Sequence, residues 1–239
     1  MSARETPHCI DQLEALAGIG EIAATTIHEI RNPLTSISGF VQLLRARAAR
    51  QNDPTSVDYC TLITEEISHI NNILSDFLAL AKPQEAKFAT VDLGHIIQDV
   101  LTLMYGEAVL SQIAIIPRLP DRPLWVFGNA AKIKEVLINL CRNAFQAMGP
   151  GGTLTITGEA DLETVRVAVT DTGQGMSAQT MAEIFKPFFT TKETGTGLGL
   201  AISQRIIRSH GGQITVASEE GKGTTFTLTL PALVRPLQG

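Results

Sequence analysis

The chain has 239 residues, 44% of them hydrophobic, enough for one large or two modest cores and too apolar for wholesale disorder. Lys plus Arg total 19 against 24 Asp plus Glu, a formal net charge of −5, with no basic block and only 5% aromatic residues, so the footprint of a nucleic-acid binder is missing. Three cysteines, Cys9, Cys60 and Cys141, stand far apart without a C-x-x-C pair, which argues for free thiols in a reducing compartment rather than a disulfide framework or zinc site.

From about residue 12 to residue 82 the pattern is that of two long helices. Ile27, Ile30, Leu34, Ile37, Val41 and Leu44 recur at alternating spacings of three and four, the stripe of a helix packed in a bundle. Leu13, Leu16, Gly20 and Ala23 carry the rhythm backwards. Ile63, Ile67, Ile70, Leu74, Phe77 and Ala81 form a second stripe. Between the two, Gln51 to Ser56 reads as a turn with helix-start chemistry, and Pro83 closes the second helix. Two such helices bury their stripes poorly by themselves. A homodimer, as a four-helix bundle, would bury both; the alternative is a hairpin docked on the rest of the chain.

From about residue 88 the pattern becomes mixed. Short strands are expected at Phe88 to Leu93, Ile113 to Arg118 and Trp125 to Phe127, with helices at Leu93 to Leu110 and Lys132 to Met148. Thr153 to Gly158 and Val165 to Thr170 alternate like hairpin strands. A helix at Ala201 to His210 stops at Gly211-Gly212, and Gln213 to Ser218 with Thr224 to Leu230 makes a last hairpin. This order predicts an α+β sandwich with helices over one sheet face.

Four motifs carry chemistry. In His28-Glu29-Ile30-Arg31-Asn32-Pro33, placing Ile27 and Ile30 toward the core leaves His28 accessible, with Asn32 one turn below on the same face. A neutral imidazole keeps a lone pair for nucleophilic attack, and Glu29 is placed to orient the ring or take its other proton. Pro33 should bend the helix just below. The remaining histidines, His8, His69, His95 and His210, are expected to be ordinary solvated side chains. Asn139 and Asn143, four apart on one helix, offer hard neutral amide oxygens suited to Mg²⁺. In Asp171-Thr172-Gly173-Gln174-Gly175, an aspartate at a strand end can accept from an exocyclic amine, and the glycines Gly173 and Gly175 let backbone approach a flat ring. Finally Gly195-Thr196-Gly197-Leu198-Gly199, following Phe188 to Lys192, offers backbone N–H groups and the Lys192 charge to phosphates, and its glycines would let it move as a lid. It is neither a P-loop, lacking G-K-[S/T], nor a good dinucleotide fingerprint, since it follows a loop.

Each motif alone is ambiguous. Together and in this order they resemble the boxes of bacterial two-component histidine kinases: an H-box at His28, an N-box at Asn139 to Asn143, a G1 box at Asp171 to Gly175, an F-box at Phe185 to Phe189 and a G2 box at Gly195 to Gly199. The resemblance spans about residue 13 to residue 231. It implies a dimerisation and phospho-acceptor hairpin at 12–82 and a Bergerat (GHKL-type) ATP-binding domain at 88–232. It implies a protein-histidine kinase that moves a phosphoryl group from ATP to His28 and then to the receiver domain of a response regulator. Carried over residue by residue, Asp171 reads the adenine amino group with Thr224 backing it. Asn143 holds Mg²⁺, Asn139 supports metal and phosphates, and Lys192 to Gly199 is the ATP lid. Asn32 serves phosphate removal from the partner. A protein inhibitor of the kinase is admitted as a further partner.

One departure stands out: other branches place a lysine where this chain has Gln146, which leaves the γ-phosphate charge to Mg²⁺, Lys192 and Arg142. The stretch Phe188 to Lys192 with the H-box resembles the branch of nitrogen-regulatory and sporulation kinases, and Gly39 to Leu44 tilts to the sporulation side. No bilayer-length apolar run or signal peptide is visible, so the chain as written reads as cytoplasmic, whatever anchors a full-length protein. The Leu13 to Ala24 lead-in resembles a helix joining a sensor to the core, so a piece of a longer kinase is expected in preference to one signalled by a separate protein. Three rivals remain: an ATP-clamp ATPase of the gyrase, Hsp90 or mismatch-repair kind, which typically carries a glutamate where this chain has Asn139; a phosphotransfer protein with a decayed ATP site; and a scaffold of the same fold.

Overall fold

The structure, a computed structural model, describes residues 20–81, 87–192 and 195–233; within the first two helices the side chains at 20–26, 28–29, 69, 72 and 76–81 fall outside the description. The chain divides after Gln84 into two compact units.

The first unit is a helical hairpin, α1 (Gly20–Arg50) and α2 (Pro54–Ala81). The turn forms for local reasons. Asn52 takes φ 52°, a left-handed value that asparagine tolerates. The Asp53 carboxylate accepts the Ser56 N–H at 3.1 Å, and Pro54 opens α2 where a missing N–H costs nothing. Pro33 lies inside α1, and the Thr35 hydroxyl next to it donates back to the Arg31 carbonyl at 2.9 Å.

The apolar stripe of α1 divides into two lines with a seven-residue period. Ile27, Val41 and Ala48 are buried and Leu34 is half-buried, while Ile30, Ile37 and Leu44 remain 41%, 46% and 57% exposed. On α2, Cys60 and Ile67 are buried, whereas Ile63 and Ile70 are exposed. A single neighbouring helix covers one line of a seam that is two lines wide.

The second unit runs β1 (Ala89–Asp92), α3 (Leu93–Leu110), β2 (Ala114–Arg118), β3 (Trp125–Gly128), α4 (Ala130–Met148), β4 (Thr153–Ala160), β5 (Thr164–Asp171), α5 (Ala178–Glu183), α6 (Gly199–Ser209), β6 (Gln213–Glu219) and β7 (Gly223–Pro231). The main sheet has the order β2-β4-β5-β7-β6, with β2 parallel to β4 and the other pairs antiparallel. β1 and β3 pair apart from it. The Asp92 carboxylate holds that corner: its Oδ1 accepts from Gly94 at the start of α3 and from Leu124 just before β3. The short α5, capped by Ser177, is an addition to the expected elements.

Alternation along the strands sends one face inward. Leu154 and Ile156 of β4, Val165, Val167 and Val169 of β5, and Phe226, Leu228 and Leu230 of β7 are buried. The apolar sides of α3, α4 and α6 are buried with them, among them Val100, Leu140 and Ile207. Asp171 continues the inward set of β5, two residues beyond Val169, and pairs in register with Thr224 of β7.

His210 corrects a sequence expectation. It is 7% exposed, not solvated. Its Nε2 accepts the Asn129 N–H at 2.9 Å, its Nδ1 lies 2.7 Å from the Ile206 carbonyl, and the Phe88 ring packs against it tilted, with centroids 4.7 Å apart. It joins the end of α6 to the first turn of α4 because Gly128 leaves the space: a Cβ there would stand 2.6 Å from the His210 ring. His95 is exposed as expected, while His8 and the side chain of His69 lie outside the described residues.

Candidate functional site

Two turns of α4 gather three of the sequence motifs. The helix starts cleanly because the Asn129 side chain caps the Lys132 N–H at 3.0 Å. Its buried residues, from Ile133 to Phe145, hold it on the sheet, so Asn139 and Asn143 project from a fixed support. The Asn139 amide nitrogen donates to Ser203 Oγ at 2.9 Å, and Ser203 donates to the Gly199 carbonyl at 2.8 Å. The absence of a side chain at Gly199 lets the Asn139 amide sit this close, since a Cβ would stand 2.6 Å from Asn139 Oδ1 and push that side chain aside. The start of α6 is thereby bolted to the N-box.

One turn further along, Lys192 Nζ donates to Asn143 Oδ1 at 2.8 Å and to Gln146 Oε1. Desolvation of this ammonium pulls its pKa below the ordinary lysine value. Arg142, the other cation considered for phosphate, is 4.0 Å from Glu107 of α3. At Ala147 the third motif arrives: Gln174 donates its N–H to the Ala147 carbonyl at 3.1 Å, and a Cβ on Gly173 would stand 2.7 Å from that carbonyl. Cys141, between the asparagines, is buried, and burial first, then Glu107, pushes its thiol up to about 12, so it is inert packing.

Asp171 is 4% exposed at the end of β5. Its Oδ1 accepts from Gly173 N at 2.8 Å and Thr224 N at 3.2 Å. Burial raises its pKa, and the two N–H bonds work against that rise. Gly175 and Gly223 bring neighbouring backbone to within van der Waals reach: Cβ atoms there would lie 2.0 Å from the Glu219 and Asp171 carbonyl oxygens. Ser218 ties this wall together, accepting from Met176 N at 2.8 Å and donating to the Gly223 carbonyl.

The glycine-rich segment is pinned where it leaves and rejoins the fold. Phe188 adopts φ 67°, and Gly197, at φ 68°, packs so closely that a Cβ would stand 2.4 Å from Phe188 backbone. Thr190 Oγ1 accepts the Lys192 N–H at 3.1 Å, and Gly195 N lies 3.4 Å from the Lys192 carbonyl. Leu198 is fully buried as the anchor of the returning end. Glu193 and Thr194 lie outside the described residues.

The structure thus brings Asn139, Asn143, Asp171, Gly173, Gly175, Lys192, Gly195, Gly197, Leu198, Gly199 and Thr224 into one unit, with α4 as its spine. Ser203, Ser218 and Gln146 are partners that sequence reasoning missed. Only Ser203 carried a signal, standing four residues after Gly199 on the same helix face. In the hairpin, Asn32 is exposed on α1, while the side chains of His28 and Glu29 fall outside the description. Among the described residues no cluster of three His, Cys, Asp or Glu forms a metal site, and no helix is long and apolar enough to cross a membrane.

A mixed sheet backed by helices, with an aspartate at a strand end and paired asparagines beside it, defines an ATP-binding fold of the kind that histidine kinases share with gyrase B and Hsp90. Residues 128–234 match the family model described as "Histidine kinase-, DNA gyrase B-, and HSP90-like ATPase". That match alone leaves the ATP-clamp rival open. Residues 19–86 match "His Kinase A (phospho-acceptor) domain", which closes it. The chain belongs to the histidine kinase family.

Sporulation kinase D of Bacillus subtilis (strain 168) is 40% identical over 223 residues, covering 92% of this chain and 43% of that protein. Full-length ShkA in complex with AMPPNP aligns with a TM-score of 0.78 at 29% identity, over 90% of this chain and 46% of that one. ThkA in complex with the response regulator protein TrrA aligns at 0.68 and 33% identity, over 92% of this chain and 64% of that one. The catalytic domain of ThkA alone aligns at 0.57 and 36% identity, over 61% of this chain and 97% of that one. The chain spans less than half the length of sporulation kinase D.

Proposed function

We propose that this chain is the catalytic core of a sensor histidine kinase. It uses Mg-ATP to phosphorylate His28 and passes the phosphoryl group to an aspartate of a response regulator. The observation that carries the reading is the buried Asp171 in a glycine wall, joined through Gly173 to the asparagine-bearing helix α4. Asp171 accepts from the adenine amino group through Oδ2, since both backbone donors occupy Oδ1. Thr224 keeps the carboxylate in place through its backbone N–H.

A divalent cation fits the N-box by donor chemistry. Asn143 Oδ1 already holds a cationic group, the Lys192 ammonium, and neutral amide oxygens suit a hard ion whose remaining ligands are phosphates and water. Asn143 would hold Mg²⁺, and Asn139, tied to Ser203, would support it from the side of the returning lid. Mg²⁺ supplies charge neutralisation along the polyphosphate.

The chain's own residues do the rest. The neutral His28 imidazole attacks the γ-phosphorus; a P–N bond forms as the bond to the ADP oxygen breaks, and Glu29 takes the ring proton. In the second transfer an aspartate oxygen of the receiver domain attacks, the P–N bond breaks, and Glu29 returns the proton to the other ring nitrogen, so the neutral imidazole is regenerated. The domains are assigned as 12–82 for dimerisation and phosphotransfer and 88–232 for ATP. The homodimer is supported by the exposed second line of the hairpin seam.

The test is incubation with γ-labelled ATP, with and without Mg²⁺, followed by a panel of receiver domains. The label should need Mg²⁺, survive base, be lost in acid as a phosphoramidate is, and move to a receiver. An acid-stable label, or none, contradicts the reading.

A further inference from the structure

An ammonium group is expected to seek a carboxylate or phosphate. Lys192 instead rests on two neutral amides, Asn143 Oδ1 and Gln146 Oε1, three residues apart on α4. Two features make that placement more than a surface contact. Lys192 is held locally, because Thr190 Oγ1 takes its N–H and its carbonyl faces Gly195 N at 3.4 Å, so the lid backbone presents this one side chain to α4. And Asn143 Oδ1, the oxygen it covers, is the one assigned above to the divalent cation. A monovalent ammonium and a divalent ion repel one another across a shared oxygen.

We propose that Gln146 is a positioning residue that parks the Lys192 ammonium on Asn143, so that a divalent cation taking Asn143 Oδ1 must displace the lysine and frees it for the polyphosphate. The inference deepens the nucleotide reading and rests on it for the metal. The parking itself involves only this chain's side chains. Neutral Gln146 is what permits it. A cation there would repel Lys192, and a carboxylate would hold it too firmly to give up. In this arrangement the lid lysine stays off the phosphate path until the metal is in place, which would couple metal binding to lid engagement.

The test compares Gln146→Met, which removes the acceptor at similar volume, with Gln146→Glu, which strengthens it. The first measurement is hydrogen exchange of the amides at 190–192 and 195–198 in metal-free, nucleotide-free protein. A charge-assisted bond from a partly desolvated ammonium should change opening by about three- to tenfold, faster for Gln146→Met and slower for Gln146→Glu. Lys192→Met, which also removes the bond to Asn143, should open the segment at least as much as Gln146→Met, and adding Gln146→Met to it should change nothing further. The second measurement titrates Mg²⁺ against a fluorescent ATP analogue. The Mg²⁺ concentration for half-maximal binding should fall about three- to tenfold in Gln146→Met. Exchange that does not respond to either Gln146 variant overturns the parking. Altered exchange with an unchanged Mg²⁺ requirement overturns the coupling. Failure of the wild-type protein to bind the analogue at all overturns the nucleotide reading and the coupling with it, and the exchange result then still decides whether Gln146 holds the lysine.

Discussion

The two units of this chain solve the burial problem to different extents. The second closes on itself: Ile97, Val100, Ile133, Leu140, Leu154, Ile156 and Ile207 are all within 1% of complete burial. The hairpin does not. Each helix buries one line of its seam against the other and leaves a parallel line, Ile30, Ile37 and Leu44 on α1 and Ile63 and Ile70 on α2, facing outward. A heptad seam two lines wide needs more than one neighbour. A second copy of the hairpin would bring the same exposed line to meet it, as a two-fold interface requires. The ATP unit should therefore be stable as a monomer, and the hairpin should depend on association.

The sharpest way to break this contrast is to charge the outward line. Ile37→Glu with Leu44→Glu removes two aliphatic side chains worth about 1.5–3 kcal/mol each on burial and puts carboxylates in their place. Sedimentation should show the dimer dissociation constant rising by at least about 100-fold. ATP-analogue binding should be unchanged. A dimer that survives both substitutions removes the outward line from the interface.

Next in size is Asp171→Asn, which separates binding from stability inside the ATP unit. The amide keeps an acceptor for Gly173 and Thr224 but presents a mismatched group to the adenine amine, and nucleotide affinity should fall about 10- to 100-fold. Stability should move the other way. Because burial raises the Asp171 pKa, the folded state binds that proton more tightly than the unfolded chain does. Its ionisation therefore opposes folding increasingly as pH rises from about 4 through the folded pKa. The nucleotide-free variant should melt higher than wild type at pH 7, and the gap should close toward pH 4. A lower melting temperature at pH 7 would show that the carboxylate is a net stabiliser.

His210→Ala is a smaller perturbation and a purely structural one. It leaves the Asn129 N–H without its partner and should cost about 2 kcal/mol. For a unit of this size that is a fall of several degrees in the melting transition of the ATP unit, with hairpin association unaffected. The smallest effect belongs to the hairpin surface. Asn32→Ala should leave labelling of the kinase intact while slowing decay of a phosphorylated receiver domain by a few-fold, since an exposed amide can position a water for in-line attack. Equal decay for variant and wild type would leave Asn32 as a neighbour of Pro33 and nothing more.

Periodicity made both long helices and the main strands legible, because the 3.6 and 2 periods of burial are written directly in residue order. The motifs were legible as residue types in sequence. What escaped was set by tertiary approach. His210 looked like a helix-end histidine, and only the gap left by Gly128 and the ring of Phe88 make it a buried connector. The roles of Ser203 and Ser218 in joining motifs were hidden because Asn139 and Met176, which they bind, lie 64 and 42 residues away. The absence of lysine at Gln146 was visible. That Gln146 instead receives a lysine from the lid was not, since the contact spans 46 residues. The two lines of the hairpin seam appeared as one stripe in sequence, and only burial separates them.

The most direct measurement is the position of the phosphate. Wild-type protein and His28→Ala are each incubated with Mg-ATP, digested under alkaline conditions and mapped by mass spectrometry. Phosphate on the peptide containing His28 in wild type, and none anywhere in His28→Ala, is the expected result, with ATP-analogue affinity the same in both proteins. Phosphate that persists in His28→Ala, or that maps to another residue in wild type, contradicts the assignment of His28 as the acceptor.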